Sequence, residues 1–170
     1  VQSKLLPAAL RSAQNLLLCA PTGAGKTNVA VLTMLNCMAR YRTSPDDDAS
    51  LAMDLGAFKI VYVAPMKALV QEMVLNFRNR LEPFGVTVNE LTGDSTLTKE
   101  QINETQLIIT TPEKWDGVSR HWQQRGYVRK VGLVIIDEIH LLHDHRGPVL
   151  ESIVARRQCH CHLGGGAVQE

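Results

Sequence analysis

The stretch Ala-Pro-Thr-Gly-Ala-Gly-Lys-Thr, at residues 20–27, determines how the rest of this chain is interpreted. An apolar run at residues 16–19 precedes it, and further apolar residues at 29–32 follow it. This pattern predicts a buried strand, a tight turn and then a helix. The first N–H groups of such a helix have no intrahelical acceptor and can bind an anion. Because Gly23 and Gly25 allow the backbone to curl closely around phosphate groups, the stretch predicts a phosphate-binding loop.

Two side chains of this loop are predicted to bind different parts of a magnesium–nucleoside triphosphate complex. Lys26 is placed to reach the β- and γ-phosphates, and the Thr27 hydroxyl is placed to bind Mg²⁺. Ala20 stands where the general pattern has glycine, and Gly-Lys-Thr alone also occurs by chance in surface turns. The surrounding pattern of strand, loop and helix favours the nucleotide-binding interpretation. The predicted loop contacts are Thr22, Gly23, Ala24, Gly25, Lys26 and Thr27.

Composition limits the class of protein but does not identify a function. The chain has 170 residues, 45% of them hydrophobic, which suits one domain with a substantial core. A formal charge of +1 gives no bulk electrostatic reason to bind nucleic acid, so any such binding must depend on local features. We find no apolar run long enough to span a membrane and no signal-peptide pattern, and the four cysteines form no disulfide framework. These features favour an intracellular soluble protein.

Strand-like and helix-like segments alternate along the chain. Predicted strands cover residues 15–20, 58–64, 85–91, 106–111 and 131–137. Predicted helices cover residues 1–11, 25–40, 65–81 and 147–156, and shorter helices follow a capping box at Thr98 and Gln101 and begin at Pro112. Apolar strands that alternate with helices predict an α/β fold, a doubly wound and mostly parallel sheet. Ligands of such folds bind at the carboxyl ends of the strands.

Two acidic residues stand at the end of the last predicted strand. Asp137 follows four apolar residues, a position from which its carboxylate could bind the same Mg²⁺ as Thr27. Glu138 could polarise a water molecule that attacks the γ-phosphate. An Asp-Glu pair after a strand can also be only a helix cap with a dipole-stabilising charge. The phosphate-binding loop upstream favours the catalytic interpretation.

Five motifs together resemble one family. They are Ala-Pro-Thr-Gly-Ala-Gly-Lys-Thr at 20–27, Ala-Pro-Met-Lys-Ala-Leu at 64–69, Thr-Gly-Asp at 92–94, Thr-Pro-Glu-Lys-Trp at 111–115 and Asp-Glu-Ile-His at 137–140. In this order they resemble the first RecA-like domain of a superfamily-two (DExH) RNA helicase. Residues 141–156 resemble the Ski-like branch, within which the similarity is greatest to helicases that unwind small nuclear RNAs during splicing. The related helicase of the activating-signal cointegrator complex has a similar signature.

The resemblance implies roles for individual residues. ATP and Mg²⁺ would be the cofactors, with Gln2 reading adenine and Thr27 and Asp137 at the metal. Glu138, Lys26, Asp137 and His140 would be the catalytic residues. Single-stranded RNA would contact three strand-end loops through phosphate groups rather than bases; their residues are Pro65, Met66, Lys67, Thr92, Gly93, Asp94, Thr111 and Pro112. Trp115 is interpreted as a core anchor. Small nuclear RNA, spliceosomal proteins and a nuclear location are further implications.

The end of the chain departs from the family pattern. The family continues with a strand carrying Ser-Ala-Thr and a second RecA-like lobe, which would supply an arginine finger, and this sequence contains neither. We therefore expect a RecA-like domain at residues 1–156, incomplete at its C-terminal side, and a divergent, flexible tail at 157–170. Alternating Cys and His at 159–162 could bind zinc, although the spacing is unusual. Two alternative functions stay open at this point: a non-catalytic product that acts only by binding partners, and the lobe of a DNA translocase.

Overall fold

A computed structural model describes residues 2–11, 14–21, 23–44, 52–95, 97–140 and 147–164. The described residues form a four-stranded parallel sheet in the order β2-β3-β1-β4, with helices on both faces. The strands are β1 (Lys59–Val63), β2 (Val88–Leu91), β3 (Leu107–Thr110) and β4 (Val131–Ile136). The predicted α/β class and parallel sheet are confirmed.

The helices follow the predicted alternation. They are α1 (Gln2–Arg11), α2 (Lys26–Ala39), α3 (Lys67–Leu81), α4 (Lys99–Glu104), α5 (Pro112–Ser119), α6 (Gly126–Arg129) and α7 (Gly147–Gly164). The predicted capping box is present at α4: Thr98 accepts from the Gln101 amide, and the Gln101 side chain accepts from the Thr98 amide. In the part of the chain that the structure describes, every helix is too short or too polar to cross a membrane.

Two apolar clusters fill the two faces of the sheet. The first joins β1 and β3 to α2 and α3, with Phe58, Ile60 and Phe77 at its centre. The second joins the opposite faces of the same strands to α5 and α7 and contains Trp115, which is 3% exposed. All five residues of β1 are buried; the apolar residues of the run predict this, and Lys59 is buried with them. Trp115 is therefore a core residue, as expected.

The predicted first strand is wrong. Residues 15–20 run without strand pairing; Leu17 is 69% exposed, and Cys19, which the pattern placed in a buried strand, is exposed as well. A run of leucines has a weaker preference for strands than β-branched and aromatic residues, which fill β1 and β3. The neighbouring edge of β4 is also partly occupied, because Arg157 Nη2 donates to the carbonyl of Gly132 at 3.1 Å.

Two further differences concern helices. The polar connection at residues 120–130 contains the short helix α6, and its Val128 is buried in the second apolar cluster. Helix α7 continues to Gly164, past the predicted end at about Arg156, so residues 157–164 of the predicted flexible tail are helical. The side chains of residues 158–164, including the alternating Cys and His, lie outside the described part of the chain. The division into a domain and a tail stays a prediction.

Candidate nucleotide and nucleic-acid site

The carboxyl ends of the four strands place the predicted motifs along one edge of the sheet. Because all strands are parallel, their C-terminal loops emerge on the same side. The predicted RNA-contacting loops follow β2, β3 and β1, which are three successive strands in the sheet. Of the predicted catalytic residues, Asp137, Glu138 and His140 follow β4, and Lys26 is the first residue of α2. The strand order therefore places the predicted RNA contacts at the β2, β3 and β1 side of the sheet and the predicted ATP site beside β4.

The phosphate-binding loop has the backbone conformation that its glycines predict. Gly23 and Gly25 have φ angles of 81° and 87°, in the left-handed region that favours glycine. Gly25 directly precedes α2, and no side chain caps the helix. The amides of Lys26 and Thr27, in the first turn, donate to no other described residue. Amides without an acceptor at the start of a helix, and a glycine backbone that a ligand can approach closely, suit the binding of a phosphate group.

Three of the predicted nucleotide contacts are Thr22, Gln2 and Ala24. Thr22 lies outside the described residues, and Gln2 is in α1 although its side chain is not described. Ala24 is half-buried, and its amide donates to Pro21 at 3.2 Å, which closes the turn before Gly25.

Lys26, Glu138 and His140 come together at the end of β4. Lys26 Nζ lies 3.5 Å from Glu138 Oε1 and also donates to the carbonyl of Ala20 at 3.3 Å. The Nδ1 atom of His140 lies 3.1 Å from the other oxygen of Glu138. The Lys26 and Glu138 side chains are 29% and 28% exposed, and that of His140 is 70% exposed. We call these three residues the strand-end cluster.

Glu138 also has an unusual backbone. Its φ angle of 51° is the only positive value among the described non-glycine residues. A left-handed conformation costs a non-glycine residue about 1–3 kcal/mol, and such strain concentrates at functional sites. Glu138 therefore combines a strained backbone with a carboxylate that lies beside Lys26.

Asp137 is held by three hydrogen bonds. Its amide donates to Val63 O at 3.0 Å, which extends the ladder between β1 and β4. Its Oδ1 accepts from the Glu138 amide at 2.9 Å, and its Oδ2 accepts from the Tyr62 hydroxyl at 2.6 Å. Burial, and then the hydrogen bond to Asp137, raise the pKa of Tyr62 well above its ordinary value, so this hydroxyl keeps its proton. The sequence interpretation missed Tyr62; a hydroxyl inside a fully buried strand was the available signal.

The predicted RNA-contacting residues differ in exposure. Met66, Lys67, Gly93 and Asp94 are exposed, and Thr111 is half-buried. The remaining three, Pro65, Thr92 and Pro112, are buried. Buried side chains can only shape the backbone there, which leaves two exposed loops and one half-buried residue for direct contact.

The two exposed loops are joined by an ion pair. Lys67 Nζ bonds to Asp94 Oδ2, although the Lys67 and Asp94 side chains are 54% and 79% exposed. These residues follow β1 and β2, so the pair passes over the end of the intervening strand β3. The one ammonium among the predicted RNA contacts is therefore paired with a carboxylate.

Comparisons with known proteins agree with the motifs. A family model described as DEAD/DEAH box helicase matches residues 1–164. The pre-mRNA-splicing factor brr2 of Schizosaccharomyces pombe and an activating signal cointegrator 1 complex subunit 3-like protein of Dictyostelium discoideum are each 60% identical over 156 residues. The U5 small nuclear ribonucleoprotein 200 kDa helicase of Homo sapiens is 56% identical over the same length. These matches span 92% of this chain and 7% of each relative.

A solved structure supports the fold. The crystal structure of the DUF1998 helicase MrfA matches with a TM-score of 0.62 at 18% sequence identity. The match covers 92% of this chain and 27% of that one.

Proposed function

Because this chain belongs to the DEAD/DEAH box helicase family, we propose that it is the ATP-binding lobe of an ATP-dependent RNA helicase. One observation carries the proposal: Lys26, at the start of α2, and Glu138, just after β4, lie 3.5 Å apart. Residues distant in the sequence thus place a phosphate-binding ammonium beside a carboxylate that could act as a base. Hydrolysis of a γ-phosphate needs both groups in one site.

The described residues fit a magnesium–nucleotide complex. The left-handed glycines and the open amides of Lys26 and Thr27 would receive the phosphate groups. The Thr27 hydroxyl and the Asp137 carboxylate are hard oxygen donors, the kind that Mg²⁺ prefers. When bound, Mg²⁺ would neutralise charge on the β- and γ-phosphates. In the absence of nucleotide, Glu138 would hold Lys26, and the arriving phosphates would take its place.

Single-stranded RNA would lie across the loops that follow β2, β3 and β1. The backbone of the exposed residues Gly93 and Asp94 and the ammonium of Lys67 would contact phosphate groups, which carry no base sequence. The relatives named above include spliceosomal helicases. We therefore propose small nuclear RNA as the substrate class, spliceosomal proteins as partners and the nucleus as the location. The equal identity to a cointegrator-complex relative makes that assembly the alternative.

Nucleotide binding by the 170-residue chain tests the first step. Lys26→Ala should weaken Mg-ADP binding at least tenfold, measured by fluorescence with a labelled nucleotide, because the phosphates lose their ammonium. Lys99→Ala removes an exposed lysine from α4 and is the matched control, which should leave the affinity unchanged. Equal affinities for wild type and Lys26→Ala would refute the assigned site.

Hydrolysis tests the need for a second lobe. We expect the chain alone to turn over ATP slowly even with RNA, because an arginine finger supplied by another lobe is worth on the order of 10³-fold or more. Rapid RNA-stimulated turnover by this chain would contradict that dependence. The proposed contacts involve phosphate groups, which RNA and DNA share, so the contacts alone do not identify the nucleic acid. Competition between RNA and DNA strands of one sequence separates an RNA helicase from a DNA translocase.

A further inference from the structure

The carboxylate proposed to bind magnesium has a partner that the proposed mechanism does not use. Tyr62 lies in β1, beside β4, and is 2% exposed. It pairs with Ile135 across the ladder, and Asp137, just past the end of β4, lies two residues further along the chain and hence on the same face. This register brings the Tyr62 hydroxyl to 2.6 Å from Asp137 Oδ2.

We propose that Tyr62 is a positioning residue for Asp137, and that its hydroxyl sets the Mg²⁺ concentration at which the chain binds nucleotide. The inference rests on the proposed function, because it assumes that Asp137 acts on the metal. It concerns only the orientation of that carboxylate. Tyr62 itself would contact neither metal nor nucleotide.

The position of the hydroxyl is set independently of Asp137. The ring of Tyr62 packs edge-on against Phe77 of α3, with centroids 5.0 Å apart and an interplanar angle of 64°. Both residues belong to the first apolar cluster, so the ring has little freedom to move. Because packing restricts the ring, the hydroxyl keeps a fixed position beside Asp137.

The hydrogen bonds then determine the plane of the carboxylate. An ionised carboxylate only accepts, so the hydroxyl must donate to Oδ2 while the Glu138 amide donates to Oδ1. One donor on each oxygen fixes both side-chain torsions of Asp137. Each oxygen retains a further lone pair for the metal or its water shell. Partners of this kind typically change metal affinity or activity by 10- to 100-fold when removed.

Tyr62→Phe tests the inference because it removes one oxygen and keeps the packing on Phe77. In the 170-residue chain, labelled ADP is titrated at a series of Mg²⁺ concentrations and also in EDTA. We expect the Mg²⁺ concentration for half-maximal enhancement of binding to rise about tenfold, while affinity in EDTA stays unchanged and high Mg²⁺ restores wild-type affinity. Tyr41→Phe is the control, since its ring stacks on Phe58 in the same cluster, beside the start of β4.

The outcomes separate this inference from the proposed function. A Tyr62→Phe midpoint within twofold of wild type would overturn the positioning role and leave the proposed function intact. Equal loss of affinity with and without Mg²⁺ would also overturn it, because that result indicates general damage, which circular dichroism would reveal. If the wild-type chain bound ADP equally well with and without Mg²⁺, the assigned metal role of Asp137 would be refuted, and this inference with it.

Discussion

Two clusters of charged side chains in this molecule are built differently. The strand-end cluster is open: Lys26 and Glu138 are more than a quarter exposed, and its contacts measure 3.1 and 3.5 Å. The second, which we call the helix-pair cluster, joins α5 to α7 through Asp116, Arg120 and Arg156. Its Asp116 is 8% exposed and accepts from Arg156 at 2.5 Å and from Arg120 at 2.6 and 3.1 Å.

The difference indicates which charges are available to a ligand. Burial alone would raise the pKa of Asp116, yet the hydrogen bonds from Arg156 and Arg120 outweigh burial and lower it below its ordinary value. Arg156 also donates to the backbone of Asp116 and to the Ser119 hydroxyl. Little capacity is left there for another partner. Glu138, by contrast, has longer contacts and a strained backbone, which supports the proposal that a phosphate group displaces it from Lys26.

The largest effect should follow from breaking the helix-pair cluster. Arg156→Met keeps the length of the side chain but leaves the Asp116 carboxylate buried with Arg120 alone. Breaking a buried ion pair on one side typically costs 3–5 kcal/mol, and because Arg120 remains we expect about 3 kcal/mol of unfolding free energy to be lost. Urea denaturation measures this loss. Nucleotide affinity should be unchanged.

The adjacent arginine is the control for that variant. Arg157→Met makes the same change one position further along α7, where the half-buried residue donates, among the described residues, to Gly132 O alone. We expect a loss of at most about 1 kcal/mol. Equal losses for Arg156→Met and Arg157→Met would mean that the helix-pair cluster contributes no more than a surface contact.

A smaller effect concerns Lys59, a buried charge that forms no ion pair with any residue that the structure describes. Lys59 is 1% exposed, and its ammonium donates to the carbonyls of Asn103 and Thr105 at the end of α4. Burial, and secondly the charge of Lys130, lower the pKa of Lys59 to about 8. The unfolded chain retains this proton up to about pH 10.4. Between these values the unfolded state binds more protons, so the contribution of Lys59 to stability increases with pH.

Lys59→Met isolates this effect from every other titration. We expect the difference in unfolding free energy between wild type and variant to shift by roughly 2–3 kcal/mol in favour of wild type between pH 7.5 and pH 10. Urea denaturation at several pH values measures it. Parallel curves for the two proteins would show that the two carbonyls hold the ammonium without a net penalty.

The sequence predicts elements well where neighbouring residues decide the outcome. Strand β1 is bounded by Gly56 and Pro65 and contains β-branched and aromatic residues, and its predicted range exceeds the observed one by a single residue at each end. The capping box at Thr98 involves residues three apart and was predicted correctly. The strand-end motifs also gather at one edge, since parallel topology requires it.

Distant partners explain what could not be predicted. Asp116 and Arg156 are 40 positions apart, and no local pattern indicates that α5 and α7 will pack side by side. The Tyr62–Asp137 contact depends on the register of β1 against β4, which the sequence does not provide. Residues 15–20 failed as a strand because strand formation needs a neighbouring ladder as well as apolar residues.

The smallest effect on the free energy of unfolding should come from a change in the strand-end cluster. Glu138→Gln preserves size and removes the charge that faces Lys26 and His140. Because half-exposed ion pairs contribute little, we expect the free energy of unfolding to change by less than about 0.5 kcal/mol. The rate of ATP hydrolysis, measured with a second RecA-like lobe supplied, should fall by at least about 100-fold if Glu138 is the base.

Asp116→Asn is the matched change in the other cluster and makes the contrast quantitative. The same replacement of a carboxylate by an amide leaves Arg156 and Arg120 facing a neutral group, which should cost at least about 2 kcal/mol and leave nucleotide binding intact. If Glu138→Gln destabilised the fold as much as Asp116→Asn does, Glu138 would be a structural residue. Its contact with Lys26 would then be a fixed bond that phosphate could not displace, and the proposed exchange of partners would fail.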